Sequence, residues 1–379
     1  MNKYLDTFYD WWKNIDKFIL FIILTLFLLG LFFSLVSTSL IASDKLDTKS
    51  YYFFFKHLAY IALAIVILII FSFLNQKILT KLSSILFLVA FLSLLLVPFL
   101  GIEVKGSKRW LDLMFLPRFQ PIEIVKPFFI VTLSLMLTSQ IRRLYFKYFL
   151  STLFTVPILL LLVYQPDIGQ TILITLAASI IYFISGMPLI VGFTIFILSL
   201  IGIGLSYLYV DHFYQRLNIF FNPSLGDTYQ IDTAYNAILQ GGWFGVGPGE
   251  GVIKNILPDA HTDFIFAVAA EEFGLISCFI IIFLFAFIIF RGVKRSINQQ
   301  NLFAKISTIG LISLICLQMG INIAVNLGIV PTKGMTLPFI SYGGSSAISI
   351  AITFGLILAF TRQKKTNFEY SSRKLSFQS

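Results

Sequence analysis

The chain has 379 residues, 58% of them hydrophobic and only 12% charged, with a formal net charge of +10. That composition excludes a water-soluble enzyme and a soluble domain with a basic nucleic-acid groove; loop lysines and arginines beside membranes set topology instead. Apolar runs of about 17–25 residues recur, long enough to cross roughly 30 Å of hydrocarbon, and the alternating pattern of an outer-membrane barrel is missing.

The expected fold class is all-α: a polytopic integral membrane protein of about ten transmembrane helices, forming a single domain over 1–379. In chain order the spans fall at about 18–41, 53–74, 82–100, 124–139, 149–164, 169–185, 188–210, 264–290, 303–327 and 343–361. The first run is too long for a signal-peptide core and lacks an evident cleavage site, so it stays as the first helix. A long outer loop, 211–263, separates the seventh span from the eighth. A polar tail follows from Gln363, and Cys278 and Cys316 sit in apolar runs where no structural disulfide is expected.

Charge orients the chain. With both termini cytoplasmic, the inner loops collect Lys77, Lys81, Arg142, Arg143, Lys147, Arg291, Lys294, Arg295 and Arg362, as the positive-inside rule requires. Of the 18 acids, only Asp6, Asp10, Asp16 and Glu369 then lie on the inner side. Chemistry should therefore face outward.

The stretch from Leu257 to Glu272 closes the long loop and opens the eighth span. Intramembrane acids are costly and by default functional. Asp263 falls at or near the helix N-terminus, where a capping acid and a general base both fit. The positive end of the helix favours its carboxylate form. Glu271 and Glu272 lie about 12 Å deeper by helix rise, and at least one should pair inside the bundle. His261 fits a hydrogen-bonding loop histidine better than a metal ligand, since no metal-ligand spacing surrounds it.

Further motifs face the same side. Lys105-Gly106-Ser107-Lys108-Arg109-Trp110 is a compact basic loop. Gln120-Pro121-Ile122-Glu123 opens the fourth span, and Glu123 and Lys126, one turn apart, can pair. Arg109, Lys126 and that helix N-terminus together suit a pyrophosphate. The glycine-rich run from Gly241 to Gly251 lacks the context of a nucleotide loop; it reads as a tight, partly re-entrant loop. The segment Pro331–Ser346 offers hydroxyls, including Ser341, with Lys333 at its rim.

These stretches, with Gln165-Pro166-Asp167-Ile168-Gly169, resemble the SEDS family of peptidoglycan polymerases, FtsW and RodA, over nearly the whole chain. The wording from Gly242-Trp243-Phe244-Gly245 onward is nearer the FtsW division branch. Ile122 departs from the family's usual serine, which removes one hydroxyl at the fourth span's start. The resemblance implies polymerisation of lipid II into glycan strands at the bacterial inner membrane, at the division septum. It implies a class B penicillin-binding protein and other divisome proteins as partners, with membrane lipid around them and no nucleic acid. Asp263 would be the catalytic base and 211–263 the catalytic loop. Arg109, Lys126, Glu123, Asp167, His261, Lys333 and Ser341 are the candidate substrate-binding residues. No cofactor is implied beyond a divalent cation, Mg2+ or Mn2+, that could bridge the phosphates. A lipid II flippase and a non-catalytic divisome scaffold are the alternatives.

Overall fold

The computed structural model describes residues 2–38, 51–104, 107–112, 117–141, 143–209, 211–222, 228–332 and 334–362. Lys333, Lys105, Gly106, Arg142 and the tail from Gln363 lie outside them. An amphipathic helix α1 (Asn2–Asn14) leads into ten apolar helices among the described residues: α2 (Lys17–Thr38), α3 (Tyr52–Phe73), α4 (Gln76–Leu100), α5 (Pro121–Leu137), α6 (Leu144–Tyr164), α7 (Ile168–Ile184), α8 (Leu189–Tyr209), α12 (Ile265–Ile297), α13 (Leu302–Asn326) and α14 (Gly344–Thr361). Eight of these are long and apolar enough to cross a membrane, and α5 and α7, at 17 residues each, complete the ten. The all-α polytopic expectation holds.

Several boundaries differ from the apolar runs. α4 begins at Gln76, so Lys77 and Lys81 ride on the helix, where a lysine's aliphatic stem can lie along apolar surface. α6 begins at Leu144 rather than at 149. α12 continues to Ile297 and carries Lys294 and Arg295 in its last turn, where the helix end is partially negative. α1 is too short and polar to register as a span. It is an amphipathic helix whose Trp11 donates Nε1–H to Ser72 Oγ at 3.2 Å and stacks on Phe73 with centroids 4.2 Å apart.

The opposite end of the bundle carries the irregular structure. A hairpin of β1 (Gly101–Val104) and β2 (Ser107–Leu111) follows α4 and pairs antiparallel. The segment 211–263 is more than a loop: it holds α9 (Asp211–Phe221), α10 (Tyr229–Gly241) and α11 (Ile253–Ile256). α14 is the central post, with 89% of its apolar window buried. Its Ser, Ala, Gly and Thr residues let it pack closely on α3, and it also contacts α5, α12 and α13. This core fixes the start of α14, and hence the loop before it, against the start of α12.

Candidate active site

On α13, Gln318, Asn322 and Asn326 recur at four-residue spacing, and all three are buried on one face. A buried amide left unpaired costs about 1–3 kcal/mol; here each is bonded. Asn322 Nδ2 donates to the carbonyls of Asp263 at 2.9 Å and Met335 at 2.6 Å. Asn326 Nδ2 donates to the Asp263 carbonyl at 3.1 Å, and its Oδ1 accepts from Ala267 N–H at 3.2 Å. Gln318 Nε2 donates to the Thr336 carbonyl at 3.1 Å. One helix face therefore holds the start of α12 and the 331–343 loop together.

Asp263 is half-buried and gripped through its backbone. α12 starts at Ile265 with Phe264 at the N-cap, so Asp263 stands one residue before the position a capping acid would take. Its Oδ2 lies 3.5 Å from where a Cβ on Gly334 would stand, and Gly334 has φ +61°. Glycine tolerates that left-handed backbone, which brings the loop against the carboxylate.

Beside this, α5 and α7 build a buried charged network. Lys126 Nζ donates to Glu123 Oε1 at 2.7 Å and to Gln318 Oε1 at 3.0 Å. Gln170 Nε2 donates to the same Glu123 oxygen at 3.0 Å. Asp167 caps α7: its Oδ1 accepts from Gln170 N–H at 3.4 Å, and its Oδ2 accepts from Gln120 Nε2 at 3.1 Å. Burial raises the Asp167 carboxyl above its usual range, against the pull of the Arg109 charge and the Gln170 N–H. Arg109 donates to the Pro166 carbonyl at 2.5 Å and to the Gln165 carbonyl at 3.4 Å, with Nη1 3.8 Å from Asp167. Arg109 thus clasps the 165–167 turn, while Lys126 is buried and bonded to Glu123 and Gln318 rather than open to a pyrophosphate at the helix N-terminus.

Of the remaining predicted residues, Ser341 lies on the loop before α14 and His261 on the segment that leads into α12. Ser341 Oγ donates to the Thr262 carbonyl at 2.5 Å and accepts from Leu337 N–H at 2.8 Å, so it ties that loop to the residue before Asp263. The His261 carbonyl accepts from Tyr342 N–H at 2.9 Å. Burial, then Tyr60 and Tyr52, push the Tyr342 phenol up to about 12, which keeps it neutral. Asp263, His261 and Ser341 are thus brought together. Arg109, Asp167, Glu123 and Lys126 form a second group, joined to the first through Gln318.

The glycine-rich run docks on α12. Gly274 (φ +71°, ψ −176°) interrupts that helix with a conformation essentially confined to glycine. The break frees the Glu271 and Glu272 carbonyls to accept from Val246 and Gly247 N–H at 2.9 and 3.1 Å. Leu275 and Ile276 N–H donate in turn to the Gly242 and Trp243 carbonyls at 2.9 and 3.4 Å. The Glu271 carboxylate accepts from the N–H groups of Ile253 and Lys254 at 2.7 and 2.8 Å. Glu272 accepts from Gly249 N–H and from the Lys254 ammonium. Both glutamates are buried and committed to holding this loop.

The profile of the cell cycle protein family FtsW/RodA/SpoVE matches residues 16–366. The chain belongs to this family. A probable peptidoglycan glycosyltransferase FtsW of Caulobacter vibrioides is 37% identical over 363 residues, covering 93% of this chain and 91% of its own. A protein of the same name from Coxiella burnetii is 37% identical, covering 90% and 95%. Among solved structures, a chain of a peptidoglycan synthase complex that coordinates polymerization and crosslinking is similar with TM-score 0.75 and 26% identity, covering 92% and 97%. The rod shape determining protein RodA of Thermus thermophilus is similar with TM-score 0.68 and 25% identity, covering 94% and 99%.

For this FtsW/RodA/SpoVE member, sequence reasoning missed Gln318, Asn322, Asn326, Gln170 and Lys254. The α13 amides carried a legible signal, since three amides at four-residue spacing in an apolar helix demand a polar partner inside the bundle. Lys254 carried none; only the docking of its loop brings it to Glu272. The family chain combines a held carboxylate, an enclosed ion pair and a clasped turn at one end of the bundle. Such a carboxylate can accept a proton from a hydroxyl bound against it.

Proposed function

We infer that this chain is a peptidoglycan glycosyltransferase of the division branch, polymerising lipid II at the outer face of the bacterial inner membrane. The observation that carries this is the grip of Asn322 and Asn326 on the Asp263 backbone, which holds a half-buried carboxylate over Gly334. Asp263 takes the proton of the acceptor GlcNAc 4-hydroxyl. That oxygen forms its bond to the anomeric carbon of the donor MurNAc as the bond from that carbon to undecaprenyl pyrophosphate breaks, with inversion. The leaving pyrophosphate needs little protonation, so one base suffices and the paired carboxylates of glycosidases are not required.

Arg109, whose side chain keeps 16% exposure, is the candidate for attracting the pyrophosphate. Lys126 contributes through the position of Gln318, because direct contact with substrate would require its release from Glu123. Among the described residues, no group of three or more His, Cys, Asp or Glu could hold a metal ion. They do not fit a protein-built cage, and a divalent cation would ride on the phosphates of the substrate. The likeness to a synthase complex supports a class B penicillin-binding protein as partner. Both termini are cytoplasmic and the protein works at the septum.

The test is glycan-strand synthesis from purified lipid II by the protein reconstituted with that partner, comparing wild type with Asp263→Asn. Polymer from wild type alone is expected. Equal polymer from both removes Asp263 as base. No polymer from either, with lipid II crossing the liposome bilayer, turns the reading to a flippase; partner binding without either activity leaves a scaffold.

A further inference from the structure

Three rings from three different segments converge around His261, two residues before Asp263. Phe53, on α3, lies 5.4 Å from the His261 ring and 5.8 Å from the Tyr342 ring, the latter at 87°. His261 and Tyr342 lie 5.7 Å apart. All three side chains are half-buried, so each keeps part of its surface open. Two hydrogen bonds tie the Tyr342 segment to the residues just before the candidate base: Tyr342 N–H to the His261 carbonyl, and Ser341 Oγ to the Thr262 carbonyl. Behind them His57, 1% exposed, sits edge-on to Tyr342 at 5.5 Å and 83°. Neither His57 ring nitrogen has a hydrogen-bond partner among the described residues.

A packing role alone does not require this arrangement. Elsewhere in the bundle, ring clusters such as Phe27, Phe339 and Phe354 are fully buried. Here the rings stand at the edge of the core with polar atoms among them. An aromatic face is electron-rich, and the C–H face of a pyranose is apolar with slightly positive hydrogens. Ligand sites combine such aromatic lining with a few placed polar groups. Here those are the His261 imidazole and the Asp263 carboxylate two residues on.

We propose that Phe53, His261 and Tyr342 form the platform for the acceptor sugar, a pyranose whose C–H face rests on the rings while its hydroxyl meets Asp263. This rests on the polymerase reading above and adds to it a specificity surface for the acceptor. It also gives α3, which carries no predicted site residue, a role in substrate binding.

The test measures binding and turnover separately. Saturation-transfer NMR would follow a soluble GlcNAc–MurNAc disaccharide on nanodisc-embedded protein. Polymerisation kinetics with lipid II would follow the complex with its partner. Phe53→Leu and Tyr342→Leu should weaken disaccharide binding and raise KM about tenfold, with kcat within about threefold of wild type. Phe53→Tyr, which keeps a ring, should restore binding, showing that the loss is not one of folding. Asp263→Asn should bind the disaccharide while making no polymer. Wild-type binding in both leucine variants, or a fall confined to kcat, overturns the platform. An active Asp263→Asn with disaccharide binding lost in Phe53→Leu overturns the base and leaves the platform standing.

Discussion

Asn322 reaches the backbone of Asp263 across the bundle, donating to its carbonyl at 2.9 Å while the same nitrogen donates to Met335 at 2.6 Å. The residue that carries this carboxylate, at the mouth of a span, is thereby held through its backbone by a neutral amide one helix away. Asn322→Leu should lower polymerisation by about 100-fold, the scale of an ångström-level misplacement of a catalytic group. The orphaned Met335 carbonyl should cost about 1–3 kcal/mol. Kinetics alongside thermal melts in detergent would check both; unchanged kcat would mean that the backbone grip is incidental to catalysis.

The Lys126–Glu123 pair should behave as a buried unit. Removing one partner strands a charge at a cost of about 3–5 kcal/mol, so Lys126→Met and Glu123→Gln should each lower the melting temperature sharply. The double variant should melt higher than either single one, because neither charge remains unpaired. If the double variant instead shows the sum of the two losses, the residues are energetically independent.

Gly274 should tolerate no side chain. A Cβ there would lie 2.2 Å from the Trp243 carbonyl oxygen, in addition to a backbone penalty of about 1–3 kcal/mol. Gly186, with φ +81° and nothing within 4 Å, provides the control, where Gly→Ala meets the backbone term alone. Hydrogen exchange at Leu275 and Ile276 should accelerate in Gly274→Ala and stay slow in Gly186→Ala. Equal exchange in both variants would show that the glycine loop is not pinned by the helix break.

Asp16 should make stability pH-dependent at the other end of the bundle. Burial alone would raise its carboxyl, but hydrogen bonds from Arg291, Ile19 N–H and Arg295 bring it below the usual value of 3.8. A depressed folded value stabilises the protein above the unfolded value, and that gain is lost as pH falls through the folded one. Asp16→Asn should therefore melt below wild type at pH 7, and the gap should narrow as pH falls below about 4 and close once it is below the folded value. A gap unchanged at pH below the folded value would show that packing, rather than charge, accounts for the loss.

The ten helices were legible because a run of apolar residues in lipid has few choices. Each backbone group must be satisfied within its own helix, so length and hydropathy nearly dictate the span. α1 was not read from the sequence, and where it docks is set by Trp11 meeting Ser72 and Phe73, more than 60 residues on. The Glu123–Lys126 pairing was read correctly from one-turn spacing, whereas the enclosure of Lys126 depends on Gln318, 192 residues away.

By itself, the sequence determined the membrane-spanning helices, the clustering of acids toward one face and the motifs of the family. These follow from local composition and from the cost of placing charge in hydrocarbon. The tertiary structure alone decided which polar groups meet. It gave Glu271 and Glu272 to the glycine loop, Arg109 to the 165–167 turn and the Asp263 backbone to Asn322 and Asn326. Those pairings join residues far apart in the chain, and a buried polar group's partner is set by how the helices pack, which no local pattern encodes.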